Sequence, residues 1–113
     1  MSATSLSSAG DDALLAEVVR RLVATFEPER IYLFGSRGRG EQAADSDYDL
    51  LVVVPDNVPK DRRRSGRAYE ALWGLAVAAD VLVWTRSAFD SRLHLKASLP
   101  STVLREGRLI HAA

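Results

Sequence analysis

The chain has 113 residues, 47% of them hydrophobic, enough for one compact domain with a genuine core and too few for two. Its 15 Lys and Arg balance 15 Asp and Glu, a formal net charge of zero, which argues against a protein whose main task is gripping a nucleic-acid backbone. The absence of cysteine excludes disulfides, zinc-thiolate sites and thiol nucleophiles, so any metal here would be oxygen-ligated.

Residues 1–10, "MSATSLSSAG", are small and polar and read as a disordered tail, leaving residues 11–113 as the domain. This start lacks a basic segment followed by an apolar one, and no apolar run reaches the length of a membrane span. The expectation is a soluble cytoplasmic protein. From an N-cap at Asp11 or Asp12, apolar residues recur at Leu15, Val18, Val19, Leu22 and Phe26, a helical spacing that should end before Pro28. Ile31 to Phe34 reads as a short buried strand stopped by Gly35, followed by a loop rich in glycine and arginine.

Leu50 to Val54 is a continuous run of leucine and β-branched residues, the mark of a strand covered on both faces. Lys60 to Ala79 keeps helical spacing at Ala68, Leu72, Leu75, Ala76 and Ala79, with Tyr69 and Trp73 on a neighbouring stripe read as helix packing. "DVLVWT", Asp80 to Thr85, reads as a third strand, with Trp84 a core residue. Weak helical segments follow around Phe89 to Leu95 and from Pro100 to Glu106, closed by Gly107, and Leu109 with Ile110 reads as a last extended piece. The order predicts an α/β (α+β) fold, a small mixed sheet of three or four strands with flanking helices.

A crossover between the second and third strands makes them parallel, so both start at one edge of the sheet, with Asp80 level with Asp47. An antiparallel first strand would bring Gly35 to the same edge. Because side chains alternate along a strand, Asp47 and Asp49 point to one side and Tyr48 to the other. Taken singly, each acid is an ordinary strand-end residue. Together with Asp80 they crowd three negative charges, which divalent cations relieve; Mg²⁺ prefers a few carboxylates completed by water and phosphate oxygens. Gly35 lets a ligand approach the backbone, and Ser36 offers a hydroxyl and an N–H at a helix start, an anion cradle. Arg37 and Arg39 read either as phosphate contacts or as solvated loop charges. A phosphate cradle beside a metal-binding acid cluster points to nucleotide chemistry.

The stretch "GSRGRGEQAADSDYD", with Gly35-Ser36, ten intervening residues and then Asp47-x-Asp49, resembles the signature of the DNA polymerase β-type nucleotidyltransferase superfamily. More narrowly, the chain is similar to its minimal nucleotidyltransferase (MNT) branch, short proteins paired with HEPN toxins in toxin-antitoxin modules. The likeness extends over the leading helix, the motif block, the third acid opening an apolar strand and the "VLREGRLI" ending. It implies a polymerase β-like fold in which Gly35 and Ser36 hold the nucleotide's β- and γ-phosphates, with Arg37 and Arg39 beside them. Asp47, Asp49 and Asp80 would then be both catalytic and metal-binding, holding two Mg²⁺ ions, with Asp80 helping to deprotonate the acceptor. The implied reaction moves AMP from ATP to a hydroxyl, in this branch a tyrosine of the HEPN partner, within a hetero-oligomer. At Gly38 the chain departs from the common form, where alanine is frequent, which would loosen that helix start by up to about 1 kcal/mol.

Two alternatives stay open: an antitoxin that neutralises its partner by binding alone, and an enzyme acting on a small-molecule hydroxyl. Against the first stand three clustered carboxylates, which a pure binder does not need; against the second, the lack of a further domain to build a pocket. The run "KDRRRSGR", Lys60 to Arg67, reads as exposed helix turns rather than a nucleic-acid site. Arg105 and His111 imitate the spacing of HEPN ribonucleases, but Gly107 breaks the helix that such a site requires. His94 reads as a surface residue.

Overall fold

The computed structural model describes residues 4–35 and 47–113, with side chains from residue 13 onward in the first helix. Ser36, Arg37 and Arg39, assigned above to phosphate binding, lie outside the described residues, as does Gly38. The elements are α1 (Thr4–Phe26), β1 (Arg30–Phe34), β2 (Tyr48–Val54), a 3₁₀ turn (Lys60–Arg62), α2 (Gly66–Ala71), β3 (Ala79–Thr85), α3 (Arg86–Asp90), α4 (Leu99–Glu106) and β4 (Arg108–Ala112). No helix among the described residues is long and apolar enough to cross a membrane.

The helix begins at Thr4, not at Asp11 or Asp12. Residues 4–12 contain no Pro and a single Gly, Gly10, whose cost of about 1 kcal/mol does not stop the helix from growing backwards from its packed part. It ends at Phe26: Glu27 takes a positive φ of 48°, its N–H donates to the Val23 carbonyl at 2.9 Å, and Pro28 follows.

The four strands lie in the order β3-β2-β1-β4. β1 is antiparallel to both β2 and β4, whereas β2 and β3 are parallel. One face of the sheet carries Ile31, Leu33, Tyr48, Leu50, Val52, Val54 and Val81, covered by Val18, Leu22 and Phe26 of α1 and Ala68 of α2. The other carries Tyr32, Leu51 and Val53, covered by Phe89 of α3 and Val103 of α4. Both faces of β2 are therefore buried, and this explains its unbroken run of apolar residues. Fully burying each such side chain contributes about 1.5–3 kcal/mol.

The long helix expected over 60–79 is not formed. Only Lys60–Arg62 and Gly66–Ala71 are helical, and Gly74, at φ +89°, turns the chain out of the helix. Residues 75–78 have no regular structure and lead straight into β3. The helical segment expected over Phe89–Leu95 is displaced towards the N-terminus. α3 starts directly after β3 because the Thr85 hydroxyl accepts the Ala88 N–H at 3.2 Å, and both the N–H and hydroxyl of Ser87 donate to Asp56.

Candidate active site

The acid edge follows from register. Asp49 pairs with Phe34 across the antiparallel β1–β2 ladder and with Asp80 across the parallel β2–β3 ladder. Asp80 is thus level with Asp49 and not with Asp47, a shift of two residues from the sequence expectation. The shift has two equal parts: β2 begins at Tyr48, one residue after Asp47, and Tyr48 pairs with Ala79, one residue before Asp80. Alternation puts Asp47, Asp49 and Asp80 on the face shared by Leu51, Val53, Leu82 and Trp84. Tyr48, between the first two acids, turns into the opposite core and is only 4% exposed. Its N–H donates to the Ala78 carbonyl at 2.9 Å, fastening the start of β2 to the chain entering β3.

Gly35 closes the site on the β1 side. Its φ is +69°, in the left-handed region, and a Cβ placed there would overlap the Asp49 carboxylate, with Cγ only 3.1 Å away. The carboxylate therefore lies directly against the glycine backbone. No other residue fits both the dihedral and the space.

Asp49 is half-buried, whereas Asp47 and Asp80 are exposed. Burial is the main cause that raises the Asp49 carboxyl above its usual pKa, and the charges of Asp80 and then Asp47 add to it. Asp49 thus feels the charge of both other acids. They do not form a ready-made cage, since among the described residues no three Asp, Glu or His side chains meet closely enough to enclose a metal ion. This donor set suits an ion that takes part of its shell from water and phosphate.

Beyond Asp47, on the β3 side, the surface opens into a groove of about 630 Å³ lined by Asp47, Tyr69, Leu72, Trp73, Leu75 and Val77, among others. Tyr69 and Trp73 are 57% and 84% exposed, so they do not pack against the helix as their spacing suggests. The signal was present in the stripe itself: Tyr69 and Trp73 continue backwards through Ser65 and Arg62, polar residues that mark a surface face. Trp84 is half-buried in the second core, with the Arg92 guanidinium 5.5 Å from its ring.

Residues 14–110 match the family model described as a nucleotidyltransferase domain. No curated protein sequence matches the chain significantly. Among solved structures, the chain is similar to a toxin-antitoxin structure with AMP-PNP (24% identity, TM-score 0.61), covering 87% of this chain and 73% of the other. It is likewise similar to a complex of a tri-AMPylated Shewanella oneidensis HEPN toxin with an MNT antitoxin, at 18% identity and a TM-score of 0.56, covering 90% of this chain and 72% of the other.

Proposed function

The chain belongs to the nucleotidyltransferase domain family, and from this premise we propose that it is an MNT-type antitoxin that transfers AMP from ATP to a tyrosine hydroxyl of a HEPN toxin partner. The observation that carries the reading is the meeting of Asp49 with Asp80 on one side and with Gly35 on the other. A triphosphate cradle needs close backbone approach, and a transfer centre needs acids beside it; this edge offers both. The two structural neighbours support the substrate class, one by its AMP-PNP and the other by its AMPylated HEPN chain.

In this reading Gly35 and Ser36 receive the β- and γ-phosphates, with Arg37 and Arg39 as further contacts. Asp47 and Asp49 hold Mg²⁺ with Asp80. When bound, the ions supply charge neutralisation at the phosphates and lower the pKa of the acceptor hydroxyl. The acceptor oxygen bonds to the α-phosphorus as the bond from that phosphorus to the bridging oxygen breaks. Pyrophosphate leaves with that electron pair, and the hydroxyl proton passes to Asp80 and then to solvent. The reading puts the protein in the cytoplasm, in a hetero-oligomer with its partner.

The test is to incubate the protein with ATP, Mg²⁺ and the HEPN-type protein encoded beside it, and to weigh that protein by mass spectrometry. Added AMP units that vanish with Asp47→Ala or Asp49→Ala are expected. Neutralisation of the partner without a mass change, unaffected by those substitutions, would establish a binding-only antitoxin instead.

A further inference from the structure

The two edges of the sheet are not alike. β4 carries an irregularity opposite Ile31 and Tyr32 and the polar residues Arg108 and His111, devices that keep an edge strand from pairing with other chains. β3 has neither. It pairs with β2 without interruption from Ala79 to Thr85, and after Asp80 it contains no charge and no proline. Leu82, Val83 and Trp84 stay half-buried, where their partners on β2, Leu51, Val52 and Val53, are fully covered. The Tyr48 N–H donates to the Ala78 carbonyl, and backbone groups alternate in direction along a parallel ladder. Ala78, Asp80, Leu82 and Trp84 therefore bond towards β2, while Ala79, Val81, Val83 and Thr85 direct their groups outward. Among the described residues, no backbone group of another element takes up those of Ala79, Val81 and Val83.

The apolar surface continues past the strand. Ala79 also lines the groove that holds Tyr69 and Trp73. Trp73, 84% exposed, sits on a braced turn: Arg21, paired with Glu17 at 2.8 Å, donates to its carbonyl at 3.0 Å. A rigidly presented, solvated tryptophan beside an open strand edge is the composition of a protein contact.

The order of residues decides what pairs there. When a second β3 is laid antiparallel to the first, centred on Leu82, Val81 meets Val83, and the Thr85 N–H meets the Ala79 carbonyl. Outward groups then face outward groups, and the β2 ladder is untouched. The pairs between them, whose Cα atoms approach to about 4.5 Å, are Leu82 with Leu82 and Asp80 with Trp84. No like charges meet. The Arg92 guanidinium lies 5.5 Å from the Trp84 ring and has no carboxylate partner among the described residues; the exposed Asp80 has no cationic one. Each finds in the second copy the opposite charge that its own chain does not supply.

We infer that the protein self-associates through β3 as a two-fold dimer, joining two four-stranded sheets into one and setting Arg92 of each copy against Asp80 of the other. The contact does not depend on the nucleotidyltransferase reading. On that reading it adds a cation from the second copy to each acid edge, where it favours the ionised form of Asp80.

Analytical ultracentrifugation of the protein alone, over a concentration series, tests the inference, with circular dichroism to establish that each variant is folded. Wild type should approach twice 12.4 kDa. Val83→Pro removes an outward N–H and leaves the β2 ladder whole; Arg92→Glu sets like charges together twice by symmetry. Each should raise the dimer dissociation constant by about tenfold or more. Adding Asp80→Lys to Arg92→Glu should bring the dimer back, because the pair is then reversed, whereas damage to the fold would not be repaired. Wild type that stays monomeric throughout the series would overturn the inference. So would a dimer that neither variant weakens, which would put the contact on another face. A β3 dimer that transfers no AMP would uphold the inference and bring down the transferase reading instead.

Discussion

Asp49 and Asp80 are direct partners across the parallel β2–β3 ladder, so two carboxylates stand where neighbouring strands come within about 4.8 Å. The fold keeps Asp49 half-buried beside like charge without a neutralising cation among the described residues, a strain on the folded state that serves the site.

Removing that strain should separate stability from activity. Asp49→Asn is expected to raise the thermal unfolding midpoint of the metal-free protein at pH 7 and to abolish the rise that Mg²⁺ with ATP gives the wild type. AMP transfer should drop by more than about 100-fold, since even residues that only support metal ligands cost 10–100-fold. Scanning fluorimetry with and without Mg²⁺ reads the first part. A lower midpoint for the metal-free variant would contradict the account.

Gly35→Ala attacks the same carboxylate from β1. The left-handed φ of +69° costs a non-glycine residue roughly 1–2 kcal/mol, and the new methyl also displaces the Asp49 carboxylate. Urea unfolding should report a loss of that size. Transfer activity measured where the variant is fully folded should fall further than stability alone explains.

The brace beneath Trp73 has a pH signature. Hydrogen bonds from Arg20 and Arg21 pull the Glu17 carboxyl down from 4.5 to about 2. A carboxyl depressed on folding contributes stability that is fully present above its unfolded value and is lost as pH falls through its folded value. The stability difference between wild type and Glu17→Gln should therefore be level above about pH 4.5 and shrink as pH falls towards 2. Glu17 is exposed enough that the difference is modest. Unfolding midpoints across that range measure it, and a difference that persists undiminished at pH 2 would exclude the linkage.

Phe89 probes the fold away from the chemistry. It is fully buried, stacks on Tyr32 at 5.5 Å between centroids and lies 5.0 Å from the Arg30 guanidinium. Phe89→Ala should cost about 3–5 kcal/mol, seen as a lower denaturation midpoint, with kcat/KM unchanged at temperatures where the variant stays folded.

Much of the site was legible because its chemistry is local. Asp47 and Asp49 alternate around a single buried residue, and Leu50 to Val54 admits no reading but a strand covered on both sides. Asp80 was harder to place: strand starts are set by pairing, and the Tyr48–Ala79 partnership leaves no mark in either segment alone. The helix expected over 60–79 failed because apolar spacing ignores what Gly74 does to the backbone. Tyr69 and Trp73 were assigned to packing by hydrophobicity, a scale blind to whether anything lies opposite. The Arg21 bond to the Trp73 carbonyl joins residues 52 apart through a backbone acceptor, a pairing that side-chain patterns do not encode.

The pairing of Tyr48 with Ala79 carries an arithmetic obligation. Side chains on a strand alternate, so a one-residue slip of β3 that set Asp80 instead of Ala79 opposite Tyr48 would swing Asp80 to the opposite surface of the sheet while leaving the strand itself intact. The connector itself can change in letters and in length, provided it still delivers Ala79 opposite Tyr48.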